Sequence, residues 1–128
     1  MSESETGLVI RDAKSVDERV ARGDLMVRMV MHEDNMPFES SLHFVLYNRL
    51  PAGTANEKHI HDDVEKVYYF LKGSGEVDCG PETKKVKAGE FLFFPAAVEH
   101  EIRADAGEDL EFVVCAAKTV TEPKGLDS

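Results

Sequence analysis

Apolar and polar residues alternate along much of this chain, a two-residue period that belongs to strands, whose successive side chains point to opposite faces. Residues 24–32 carry Leu25, Val27, Met29 and Met31 on one parity, with Arg28 and His32 on the other. Residues 41–50 repeat the pattern, with Leu42, Phe44, Leu46 and Leu50 on even positions and His43, Val45 and Tyr47 on odd ones. The run 64–72 is apolar on both parities: Val67, Tyr69 and Leu71 on one, Tyr68 and Phe70 on the other. Such a strand is expected to be covered on both sides. The second cover is expected from an N-terminal strand or from another subunit.

The rest of the chain is punctuated by turn formers. Residues 8–11 predict a short edge strand. Ser15-Val16-Asp17-Glu18 matches a capping box, with Gly23 as a stop, and fits either a helical turn or two or a structured loop. Residues 33–40, with Asn35 and Pro37, read as a loop, and Pro51-Ala52-Gly53 ends the preceding strand. Further strands are predicted at 76–79, 84–87, 91–94, 98–104 and 110–118, the 91–94 run being expected to be buried. Many short strands with regular turns and almost no helix predict an all-β sandwich or jelly roll. Residues 8–120 are expected to form one barrel domain between flexible tails at 1–7 and 121–128.

Composition narrows the partners more than the fold. A chain of 128 residues supports one core, and an apolar share of 42% suits a globular domain. The formal net charge of -10 argues against a nucleic-acid or anionic-membrane partner. No apolar run approaches the roughly 20 residues needed to span a bilayer. The opening Met-Ser-Glu-Ser-Glu-Thr-Gly lacks the basic and apolar blocks of a signal peptide, so a cytoplasmic location is expected. Cys79 and Cys115 are too few for a disulfide framework, and Cys115, in an apolar run, is expected to be a buried small hydrophobe.

Candidate chemistry concentrates in one stretch. His59, His61 and Glu65 share a parity, so in an extended segment their side chains converge. Two imidazoles and a carboxylate form a mixed nitrogen and oxygen site suited to a first-row divalent metal, and His100 offers a fourth donor. Gly53, five residues, His59-Ile60-His61, three residues, Glu65 and then Gly73 resemble the first signature of the cupin superfamily. Gly89, five residues, Pro95 and then His100 resemble the second. Seven residues separate Glu65 from Gly73 where the family pattern has six, with Lys66 in the neighbouring slot. Ala97 and Ala104 stand where the second signature has Gly and Asn.

The resemblance implies a small single-domain cupin-like fold, a double-stranded β-helix or jelly-roll barrel. It also implies one divalent transition metal (Fe, Mn, Ni or Zn) on His59, His61, Glu65 and His100, with positions open to water or substrate. Glu65 would then be ionised and is a candidate catalytic group, with Tyr69 on the same parity as a hydrogen-bond donor. The expected pocket wall is Phe44, Leu46, Val67, Phe91, Phe93 and Ile102. Arg103 and Arg49 fall off the inward parity. A pocket without an inward arginine suits a neutral or weakly acidic chelating substrate better than a small dicarboxylate. The fold leaves the reaction open. The expectations are oxygen-dependent, dioxygenase-like oxidation of an enol, diketone or phenol, or Lewis-acid isomerase or lyase chemistry. The alternative is non-catalytic binding or sensing of a small ligand. The expected partners are that small molecule and a second copy in a homodimer, with no nucleic acid and no membrane.

Overall fold

The computed structural model describes residues 6–37, 39–60 and 63–118. Its strands, in chain order, are β1 (Glu18–Ala21), β2 (Leu25–His32), β3 (Leu42–Leu50), β4 (Val64–Lys72), β5 (Ser74–Cys79), β6 (Glu82–Lys87), β7 (Phe91–Phe94), β8 (His100–Ala104) and β9 (Leu110–Lys118). One antiparallel sheet has the order β1-β2-β3-β9-β4-β7 and the other β6-β5-β8. The two close on each other as a jelly-roll barrel, the all-β class that the alternation predicts. No helix among the described residues is long and apolar enough to cross a membrane. The expected tails at 1–7 and 121–128 lie almost wholly outside the described residues.

The core fills the space between the sheets, with Leu50, Phe70, Phe94, Ile102, Leu110 and Phe112 almost wholly shielded from water. Tyr68 stacks on Phe112 at 5.4 Å between ring centres and meets Phe94 edge-on at 5.3 Å. Burying side chains of this size contributes roughly 2–3 kcal/mol each, before conformational entropy is set against it.

Two N-terminal expectations are corrected. Residues 8–11 form no strand. The capping-box stretch is neither helix nor plain loop. Asp12 caps a single 3-10 turn at Ala13–Ser15, accepting from the Lys14 amide at 3.0 Å. Residues from Glu18 onward then pair with β2 in antiparallel register. The Glu18 carboxylate that would have closed the box instead accepts from Arg49 at 2.8 Å. Tertiary pairing thus wins over a local cap.

The phase of β4 matters most for the site. Val64, Lys66, Tyr68 and Phe70 are buried toward the core, while Glu65, Val67 and Leu71 are exposed on the opposite face. Gly73 fixes this phase. There the chain passes from one sheet to the other with φ +87°, and a Cβ would run into the backbone carbonyl of Asp109. Glycine meets both demands without strain. The same phase corrects β7 and β9. Phe91 and Phe93 are 73% and 54% exposed, with only Leu92 and Phe94 turned inward. Cys115, opposite Val67 and Val45 in the ladder, is exposed rather than buried.

Candidate functional site

The site is assembled where the loop after β3 crosses the start of β8. Asn56 is buried and fastens the two together: its Oδ1 accepts from the Ile102 amide at 2.7 Å, and its own amide donates to the Ile102 carbonyl at 3.0 Å. Three residues on, His59 and His100 exchange backbone hydrogen bonds of 3.1 and 2.9 Å, which bring their rings to 4.2 Å between centres. Each ring donates Nδ1–H to a backbone carbonyl, His59 to Glu57 at 2.7 Å and His100 to Val98 at 3.0 Å. A carbonyl only accepts, so in the neutral ring the lone pair sits on Nε2.

His100 is 2% exposed and stacks on Phe94 at 4.5 Å. Burial pulls its pKa down to about 4, with Lys66 and Arg22 adding to the effect and the Val98 carbonyl opposing it. The ring is therefore neutral near pH 7.

Lys66, one position past Glu65, is the charged residue that β4 turns inward. It is 7% exposed, on the inward face of β4, and lines a cavity of about 210 Å³. Desolvation, then repulsion from Arg22, lowers its pKa to about 8. Arg22 lines the same cavity from the β1–β2 turn, where it holds φ 44°, a left-handed conformation that costs a non-glycine residue of order 1 kcal/mol or more. His59, Asn48, Asn56 and Tyr68 supply the other polar atoms, and Leu25, Val27, Phe44, Leu46 and Val114 the apolar wall. Asn48 is buried, and its Oδ1 has no hydrogen-bond partner among the described residues. No carboxylate lines this cavity among the described residues.

Of the expected ligands, the fold brings His59 and His100 together. His61 lies outside the described residues. Glu65 is turned away on the outer face, and the inward place beside the histidines is taken by Lys66. Among the described residues no three of His, Cys, Asp and Glu gather as a metal site. The chemistry of the donor set carries more weight: an ammonium group where a carboxylate is expected repels a dication. The described residues thus do not fit the four-ligand centre that the resemblance implies.

Other expectations fall on either side. Phe44 and Leu46 line the cavity. Ile102 is in the core, fully buried, and does not line it. Val67, Phe91 and Phe93 face outward, and Tyr69, on their side of the sheet, packs on Phe91 at 4.5 Å between ring centres. Arg103 is held outside by Asp78 and Glu101, and Arg49 by Glu18 and Asp109. The cavity nevertheless has its arginine, Arg22, from a turn that strand parity does not reach.

A cupin-domain family model matches residues 46–116. An uncharacterized protein of Methanocaldococcus jannaschii is 28% identical over 67 residues, 52% of this chain and 54% of that protein. The chain thus spans about half the length of the curated relative it matches. The fold is similar to that of a predicted oxalate decarboxylase of Thermotoga maritima, with a TM-score of 0.75 and 20% identity over 87% of this chain and 99% of that one. It is also similar to the polyketide cyclase RemF of Streptomyces resistomycificus, with a TM-score of 0.73 and 16% identity over 93% of this chain and 87% of that one. At these identities the structural likeness shows the fold alone. The family match spans more than half of the sequence and takes in His59, Lys66 and His100, so this chain belongs to the cupin-domain family.

Proposed function

We propose that the barrel binds a small organic anion through Lys66, without a four-ligand metal centre. The observation that carries this reading is the buried ammonium of Lys66 in a cavity that also takes Arg22 and has no carboxylate in its described lining. A cation in such surroundings is poorly solvated, and a bound carboxylate would relieve both its desolvation and the repulsion from Arg22. Asn48, with an unused acceptor, favours a ligand that also carries a hydroxyl group.

The oxidation and the Lewis-acid isomerase or lyase chemistry expected from the resemblance rest on a metal held in part by the Glu65 carboxylate. Neither is carried forward, because Glu65 faces away and Lys66 takes the inward place. The neutral or weakly acidic chelating substrate gives way for the same reason to an anionic one. This is the binding alternative of the sequence reading, with its ligand class changed by two cations.

Titration of the 15N-labelled protein with glycolate, the smallest 2-hydroxy carboxylate, tests the proposal. Glycolate is expected to shift the amides of Lys66, Asn48 and His59, and Lys66→Met is expected to weaken its binding at least tenfold. Equal affinity in the variant would show that Lys66 is not the anion's partner.

A further inference from the structure

A second cavity adjoins the first. It measures about 480 Å³ and is lined from the paired β1 and β2, from Val16 and Asp17 before them and from Asn35, with Val16, Val20, Ala21, Val27 and Met29 as its apolar lining. Ala21, Val27 and Met29 line both cavities, so the two meet along the same three side chains. The sequence explains why the barrel stays open here. β1 is a four-residue edge strand, and β2 is bulged between Met29 and Met31, which bends it at the point where a longer flat pair would close over the core.

The consequence is an apolar surface left in water beside a buried cation. Met29 is 44% exposed although it lines both the outer cavity and the Lys66 cavity, and Val20, 68% exposed, lines the outer one. Asp17 and Arg19 also line the outer cavity and offset each other in charge. The lining thus passes from two cations, Lys66 and Arg22, at the inner end to aliphatic side chains at the outer end, where Asp17, Arg19 and Asn35 carry no net charge. A compact anion would use only the inner half.

We propose that the two cavities form one site for an amphipathic organic acid, its carboxylate at Lys66 and its aliphatic tail along Val27 and Met29 into the chamber beside Val20. The proposal rests on the anion-binding reading above and adds the tail. It differs from a site for a compact diacid, which would meet no second charged group in the outer chamber that is not already opposed by one of the other sign.

The test uses a homologous pair of 2-hydroxy acids, glycolate and 2-hydroxyhexanoate, titrated into the intact chain and followed by amide shifts. Each buried methylene improves affinity roughly fourfold, so 2-hydroxyhexanoate is expected to bind at least tenfold tighter than glycolate. It is also expected to shift the amides of Val16 and Val20, which line only the outer cavity and which glycolate leaves in place. The double variant Val16→Asn, Val20→Asn changes two residues that line only the outer cavity; it is expected to remove the advantage of the longer acid and leave glycolate binding unchanged. Equal affinity for the two acids, or an advantage that survives the double variant, would overturn the tail chamber while leaving the anion pocket standing. If Lys66→Met weakens neither acid, the anion pocket falls and the amphipathic ligand falls with it.

Discussion

At the scale of single residues, Lys66 weakens the fold that holds it. Its folded pKa, about 8, lies below the ordinary lysine value of 10.5 because burial disfavours the charged form. The unfolded chain therefore binds the Lys66 proton more tightly than the folded one, and stability from this group rises as pH climbs from about 8 to 10.5 and is lost below. Lys66→Met removes the penalty in a side chain of similar length. It is expected to raise the unfolding free energy at pH 7 by about 2–3 kcal/mol, with the gap from the parent shrinking below about 1 kcal/mol at pH 10. Urea unfolding of both proteins at the two pH values checks this, and a gap that does not change with pH would mean that Lys66 is solvated. A residue that destabilises its own fold and yet sits in the central cavity is what a binding site produces when stability is exchanged for function.

At the scale of elements, turn geometry decides which side chains reach the site. Gly73 and Ala97 are opposite cases. Gly73 has a positive φ and no room for a Cβ, so Gly73→Ala is expected to cost about 2 kcal/mol or more. Ala97 holds φ 64° in the turn before His100, is exposed, and stands where the family pattern has glycine. Relief of left-handed strain exceeds the added freedom of the unfolded chain, so Ala97→Gly is expected to stabilise by about 0.5–1 kcal/mol. Paired thermal melts of the two variants read both signs, and a destabilised Ala97→Gly would mean that the turn is unstrained. The same glycine shows how far the site was legible. Alternation marks nearly every strand, but on β4 it cannot set the phase, because Val67, Tyr69 and Leu71 are as apolar as Val64, Tyr68 and Phe70. The spacing from the histidines points to Glu65 as the inward residue. The spacing back from Gly73 points one residue further, to Lys66, and Gly73 is the position that backbone sterics hold in place. Arg22 and Asn56 carried no periodic signal at all, since a turn and a loop, not a strand, deliver them to the cavity.

At the scale of the whole molecule, the outer face of the larger sheet is the surface still to be accounted for. In the ladder Val67 lies between Phe93 and Cys115, and Tyr69 between Phe91 and Val113. Phe91, Phe93, Val67 and Leu71 are all exposed, and with Cys115 they make one apolar stretch across β9, β4 and β7 on a chain whose net charge is -10. Such a patch is on the order of 500 Å² or more, beyond what a monomer ordinarily leaves in water and near what one side of a standard interface needs. The expected occupant is a second copy of the same face. An acidic chain repels its copies over most of its surface, but this stretch carries few charges to oppose the approach, and a twofold axis lets each Phe91 and Phe93 pack on the other copy. Sedimentation velocity is expected to show a homodimer at micromolar concentration. Phe91→Lys combined with Phe93→Glu places one charge of each sign on the patch and is expected to give monomers with unchanged glycolate affinity, since both residues face away from the Lys66 cavity. A parent protein that sediments as a monomer would sink the assembly, and a variant that stays dimeric would move the interface to another face.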